Sequence, residues 1–248
     1  MNNRISLLIA LIILLLSNLA CQAIINREGG NQVIGSGKVI QEERPVSGIT
    51  SVSVANQGDL QIVVGDEERL VIEAEDNLME YLESNVRNGQ LILETRPSIN
   101  LKNTRPIRYT LTVKSLEGVS TTSSGAITAP ALEGDIFSIE SSSSGDINLE
   151  GLIADQLDVK MSSSGDVTIG SGTVTKQIIR ISSSGIYDAQ PVQSQEADVR
   201  LSSSGDASVS VSETLVGTLS SSGNVNYWGD PDVNVRTSSS GKAVKAGD

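Results

Sequence analysis

The stretch SSSSGD at residues 141–146 returns as SSSGD at 162–166, SSSGI at 182–186 and SSSGD at 202–206. Taken singly, such a phrase has the composition of a flexible linker. Its spacing says otherwise. Gly125, Gly145, Gly165, Gly185, Gly205, Gly223 and Gly241 follow one another at intervals of 20, 20, 20, 20, 18 and 18 residues. A disordered Ser/Gly tract has no reason to keep step, whereas a solenoid must.

Aligning the units on their glycines shows what each one does. Six residues before it stand Val119, Ile139, Val159, Ile179, Val199, Gly217 and Val235. Four before it come Thr121, Ser141, Met161, Ile181, Leu201, Leu219 and Thr237, and two after it Ile127, Ile147, Val167, Tyr187, Ala207, Val225 and Ala243. The even offsets are mostly apolar and the odd ones polar, which is the two-residue period of a strand with one buried face. A helix is excluded, because Ser-Ser-Ser-Gly would oppose it in every unit.

The expectation is an all-β chain: a single-stranded parallel β-helix, right-handed, with coils of about 18–20 residues and an N-terminal β-rich capping lobe. Each unit supplies two short strands joined at the serine-glycine and separated by turns such as GSGT, AQPV and GDPD. The serine two before each glycine (Ser123, Ser143, Ser163, Ser183, Ser203, Ser221, Ser239) shares the inward parity, so its hydroxyls are expected to stack and hydrogen-bond along a column. The glycine marks a bend where a side chain would collide or where φ must be positive.

Residues 46–115 alternate in the same way with a looser period, Gly58-Asp59 echoing Gly145-Asp146 and 76–84 forming one helix-like turn. They are expected to cap one end of the solenoid 116–248. At the other end KAVKAGD has lysines placed to discourage edge pairing.

Ahead of this domain, residues 1–23 read as an export segment: MNNR, an apolar run Ile5–Leu16, then small residues up to Cys21. Cys21 is the only cysteine, so no intrachain disulfide forms, and its place after LSNLA resembles the lipid-attachment site of bacterial lipoproteins. Cleavage near Ala23 and an uncleaved anchor are the alternatives. Residues 24–45 read as a spacer between anchor and domain.

The blocks VSGITSVSVANQGDLQIVVGDEERLVIEAEDNLMEYLESNVRNGQLILET and RYTLTVKSLEGVSTTSSGAIT, followed by small-residue-Gly-Asp units, carry a further reading. Over residues 46–248 the chain resembles a bacterial family described as putative auto-transporter adhesin, head GIN domain. The resemblance implies a β-helical domain exposed at the bacterial envelope, often behind a lipoprotein-type signal. It brings no catalytic residues with it.

Composition narrows the chemistry. The 248 residues carry a net charge of −12, which disfavours nucleic acid or an anionic membrane surface as partner. No histidine is present and only six residues are aromatic, which removes the commonest general base and leaves few sugar-stacking platforms. No G-x-S-x-G elbow accompanies the serines. No enzyme activity and no cofactor is therefore expected.

Asp59, Asp146, Asp166 and Asp206 follow their glycines. A carboxylate column invites Ca²⁺, but Ile186 interrupts it and turn-capping explains the residues as well, so no metal site is assigned. Five before the glycine, on the outward parity, Lys160, Arg180 and Arg200 form a basic column. With the outward serines Ser164, Ser184 and Ser204 beside it, and Trp228 as a lone aromatic, it is the candidate site for an anionic glycan or envelope polymer. The bland alternative is a solvated face with Asp158 and Asp198 neutralising their neighbours.

The function expected is an envelope-anchored, non-enzymatic adhesin or binding domain, with membrane contact through the N-terminal anchor only. A structural or regulatory envelope component binding a partner protein is the alternative, and a polysaccharide-cleaving β-helix enzyme the weakest.

Overall fold

The computed structural model describes residues 31–248. Its strands are β1 (Asn31–Ile34), β2 (Val39–Arg44), β3 (Ser51–Val54), β4 (Asp59–Val64), β5 (Arg69–Glu75), β6 (Leu82–Arg87), β7 (Gln90–Thr95), β8 (Ile99–Lys102), β9 (Arg108–Val113) and β10 (Gly118–Thr121). They continue as β11 (Ile127–Ser141), β12 (Ile147–Met161), β13 (Val167–Ile169), β14 (Gly172–Ile181), β15 (Tyr187–Leu201), β16 (Ala207–Leu219), β17 (Val225–Trp228), β18 (Asp232–Thr237) and β19 (Ala243–Gly247). The one helical turn among the described residues is the 3-10 turn Met79–Tyr81, shorter than the sequence pattern allowed, because the chain is already extended by Leu82.

From β10 onward the fold is the expected parallel β-solenoid. Ile127, Ile147, Val167, Tyr187 and Ala207 are register partners in turn, 20 residues apart, and Val225 and Ala243 follow at 18. The change of period is absorbed by two register shifts between β15 and β16, one between Ala189 and Gln193, where Pro191 leaves the ladder, and a smaller opposite one between Ser194 and Glu196. Most coils are one bent strand of 13–15 residues rather than two short ones. Only two corners in this region interrupt the strand, where Gly172 and Gly229 take φ of +130° and +96°.

The serine-glycine turn is built from backbone. Five of the seven marker glycines donate their N–H to the carbonyl of the inward serine one rung back, as Gly165 to Ser143 at 3.2 Å and Gly205 to Ser183 at 2.9 Å. The serine three before the glycine likewise bonds the previous rung, as Ser162 to Ser141 at 2.8 Å. A Cβ on any of the seven glycines would overlap the carbonyl oxygen of the glycine one rung back. None of the seven has positive φ, so close approach alone excludes a side chain.

The expected hydroxyl ladder is absent among the described residues. Of the inward serines only Ser183 uses its Oγ, accepting weakly from Gly185 N–H at 3.5 Å. The peptide groups have come together first, and they satisfy one another.

The lobe before β10 is part of the same stack, out of sequence order. β3 and β4 form a coil whose Val52 and Leu60 lie beside Val119 and Ile127 on one side, and beside Leu91 and Tyr109 on the other. Asn56 stands where later coils have the inward serine: its carbonyl accepts from Gly125 N–H, and its side chain bonds Tyr109 Oη at 2.7 Å. Antiparallel strands then finish this end, β5 on β9, β2 on β5 and β6 on β7.

Residues 31–44 therefore do not form a spacer. β2 pairs antiparallel with the edge of β5, which supplies partners for its peptide groups, and β1 pairs in parallel with β8 as a separate two-stranded sheet.

Glu75 closes this end. Its buried carboxylate accepts from Gly37 N at 2.5 Å, Thr104 N at 2.7 Å, Thr104 Oγ1 at 2.6 Å and Arg105 N at 3.2 Å. Burial opposes the charge, but these donors prevail and hold its pKa below the ordinary 4.5.

Two outcomes follow. Gly165→Ala should destabilise the domain by about 1–3 kcal/mol, the usual cost of overpacking. Gly134→Ala, whose Cβ meets only Leu116 O at 3.8 Å, should stay within about 0.5 kcal/mol of wild type in denaturant unfolding. The second concerns pH. A depressed native pKa stabilises above the ordinary carboxylate value, and that contribution is lost as pH falls below 4.5. Glu75→Gln should melt lower than wild type at neutral pH, and its Tm should fall less steeply on acidification through that range.

Candidate functional site

Strand alternation and register together build the basic column. In each coil the residue four before the glycine points into the core, so its predecessor points out. Register then aligns Glu140, Lys160, Arg180, Arg200, Thr218 and Arg236 on successive coils, about 4.8 Å apart. Lys160, Arg180 and Arg200 line an open groove of 670 Å³ with Ser162, Ser182 and Ser202; Thr218 and Ser220 also line it.

The cations are not equivalent. Lys160 Nζ lies 3.6 Å from Glu140, and Arg200 is 3.0 Å from Asp198 on its own strand. Arg180 has no carboxylate within 4.0 Å among the described residues. Its strand carries Ile178 where the flanking coils carry Asp158 and Asp198. Asp158 makes no ion pair with Lys160 among the described residues; its carboxylate accepts a bond from Gln156 Nε2 at 2.9 Å. The column thus keeps net positive charge at its centre.

The other expected contributors fall elsewhere. Ser164, Ser184 and Ser204 are exposed but lie past the groove, around the turn; the hydroxyls beside the cations belong to the serines two positions earlier. Ser182 and Ser220 lean back on the preceding coil, their Oγ atoms 3.4 and 3.3 Å from the carbonyls of Met161 and Leu201. Trp228 is half-buried in β17 and lies against Gly247, where a Cβ would come within 2.7 Å of its Cδ1. It covers the last coil and does not line the groove. Cys21 lies outside the described residues.

The aspartates after the glycines cap backbone. Asp59, Asp146, Asp166 and Asp206 each accept from the N–H at the matching position of the next coil, at 3.1, 2.9, 2.8 and 2.6 Å. Asn224 does the same for Lys242 N at 3.1 Å. No group of three or more acidic, Cys or His side chains is arranged to hold a metal among the described residues.

A second groove of 750 Å³ escaped the sequence reading. It runs along the opposite corner of the coils, lined by Glu133, Asp135, Asp155, Gln193, Gln195 and Ser212, with Ile153 52 % exposed at its side. The only sequence signal was register: Asp135 and Asp155 lie 20 residues apart, but they sit where the two-residue alternation breaks down.

Comparison with known proteins places this geometry. The family model described as putative auto-transporter adhesin, head GIN domain, matches residues 49–231. No curated protein matches the chain. Among solved structures, a putative adhesin from Bacteroides fragilis is similar at TM-score 0.79 and 19 % identity, over 85 % of this chain and 98 % of that one. A putative lipid binding protein from Parabacteroides distasonis gives 0.71 at 23 % identity, over 87 % and 100 %. A putative adhesin from Parabacteroides merdae gives 0.70 at 18 %, over 86 % and 99 %. At these identities the structures speak for the fold.

Proposed function

The chain belongs to the putative auto-transporter adhesin, head GIN domain family, and on that premise we propose that it is a non-enzymatic binding domain of the bacterial envelope whose Lys160–Arg180–Arg200 groove holds an extended anionic polymer. The observation that carries this reading is the in-register column of cations beside a column of hydroxyls, on a chain whose net charge is −12. A linear polyanion laid along the solenoid meets one cation and one serine per coil, and the unpartnered Arg180 guanidinium offers a paired donor to a carboxylate or phosphate. Many weak contacts along one line suit a glycan better than a compact ligand.

In this reading Cys21 carries the lipid that anchors the chain, and the β-solenoid projects from it. A partner protein is the second reading. It is favoured by Ile136 and Ile153, 56 % and 52 % exposed in neighbouring coils beside the acidic groove.

Immobilised polygalacturonate should retain the protein at low salt and release it as salt rises. The triple variant Lys160→Glu, Arg180→Glu, Arg200→Glu should lose retention while keeping its melting temperature, since exposed ion pairs contribute little to stability. Retention unchanged by the triple substitution would remove the groove from the argument. Intact-mass analysis of membrane-extracted protein should give a mature chain beginning at Cys21 and carrying acyl groups; an unmodified chain beginning at Ile24 would disprove the anchor.

A further inference from the structure

The two ends of the solenoid are finished differently. At one end antiparallel β2, β5 and β6 lie across the parallel stack. At the other, β18 pairs with β16 and β19 with β17, and neither has a second partner among the described residues.

Ladder alternation identifies the peptide groups left over. In earlier coils the residue two after the glycine donates to the next coil, as Ile147 does to Asp166 and Val225 to Lys242. The residue four before the glycine accepts from the next coil, as Leu219 does from Ser238. Ala243 and Thr237 occupy these positions in the final coil, so their peptide groups, with those of Val233 and Val235, face outward along the axis. Val233, in register with the buried Leu215, is 38 % exposed there. Such an edge is a template for another strand.

Of the two lysines that could blunt this edge, one is engaged elsewhere. Lys245 is drawn into ion pairs with Asp230 at 3.5 Å and Asp248 at 2.7 Å. The final coil, Val225 to Asp248, holds Asp230, Asp232 and Asp248 against Arg236, Lys242 and Lys245, and is neutral on a chain of net charge −12. Another acidic surface would repel a like molecule, whereas this end admits one. A second copy also presents the same apolar columns at the same width, so the exposed inner side chains of both would be covered together.

We propose that the chain forms a two-fold dimer, end to end, in which the β18–β19 edge of one copy pairs with the same edge of another and joins two solenoids into one rod. The contact is isologous, with β18 antiparallel to its symmetry mate, and it closes after two copies because antiparallel strands finish the other end of the described solenoid.

Sedimentation velocity of the full chain in mild detergent tests this. Wild type should sediment as a dimer that dissociates on dilution. Val235→Pro removes an outward N–H, which costs no intramolecular bond, and Val233→Lys places a charge on the end face. Each should yield monomer at concentrations where wild type is dimeric, with melting temperature preserved, while Arg180→Glu should remain dimeric. Should the proline variant fail to fold, the lysine variant decides alone. A wild-type monomer at every concentration would overturn the proposal, as would a dimer that persists in the folded variants.

Discussion

The structure depends on how closely one coil can approach the last at the serine-glycine corner. There the backbone of each glycine lies against the carbonyl of the glycine one rung back, with no room for a Cβ. Once these corners are nested, the two legs of each coil are held in register, since a slip of one residue would turn every apolar side chain out of the core. The apolar columns through Ile139, Val159 and Ile179 follow from that nesting, and so do the capping aspartates and the line of cations. One steric constraint, repeated, aligns core and surface together.

That constraint was legible in the sequence because it recurs; what does not recur was hidden. Parity alone predicted the inward columns and the outward cations correctly. It also placed Ser143 and its equivalents on the inner side, but could not show that their carbonyls, rather than their hydroxyls, would meet the next coil. Nothing in a 20-residue period reveals that 51–64 stacks between 90–113 and 118–141, because that order is set by long-range pairing. β2 is mostly exposed along its length, so its sequence lacks the alternation that marks a strand, and only β5 makes it one. Glu75 reads as a surface charge until the loops at Gly37 and Thr104 are brought around it.

The site was half legible for a related reason. The cations share one offset in the repeat, and alignment exposes them. Which serines stand beside them depends on where the strand ends and the turn begins, and the choice between Ser162 and Ser164 is made by the path of that turn. Like charges on adjacent coils lie about 4.8 Å apart, inside the physiological screening length of about 8 Å, so each raises the potential felt by the next. Glu140 and Asp198 offset that repulsion at the flanks and leave the middle of the column electropositive.

The slip at Ala189 and Gln193 shows how tolerant this arrangement is. Three residues are lost from the perimeter there and one is regained between Ser194 and Glu196, yet the ladder resumes on both sides, because each coil touches only its neighbours. A coil is thus a unit of construction that a gene can gain or lose by duplication or deletion of a short in-frame segment. Rod length, and with it the number of side chains offered along a face, becomes an integer open to selection while the cross-section stays the same.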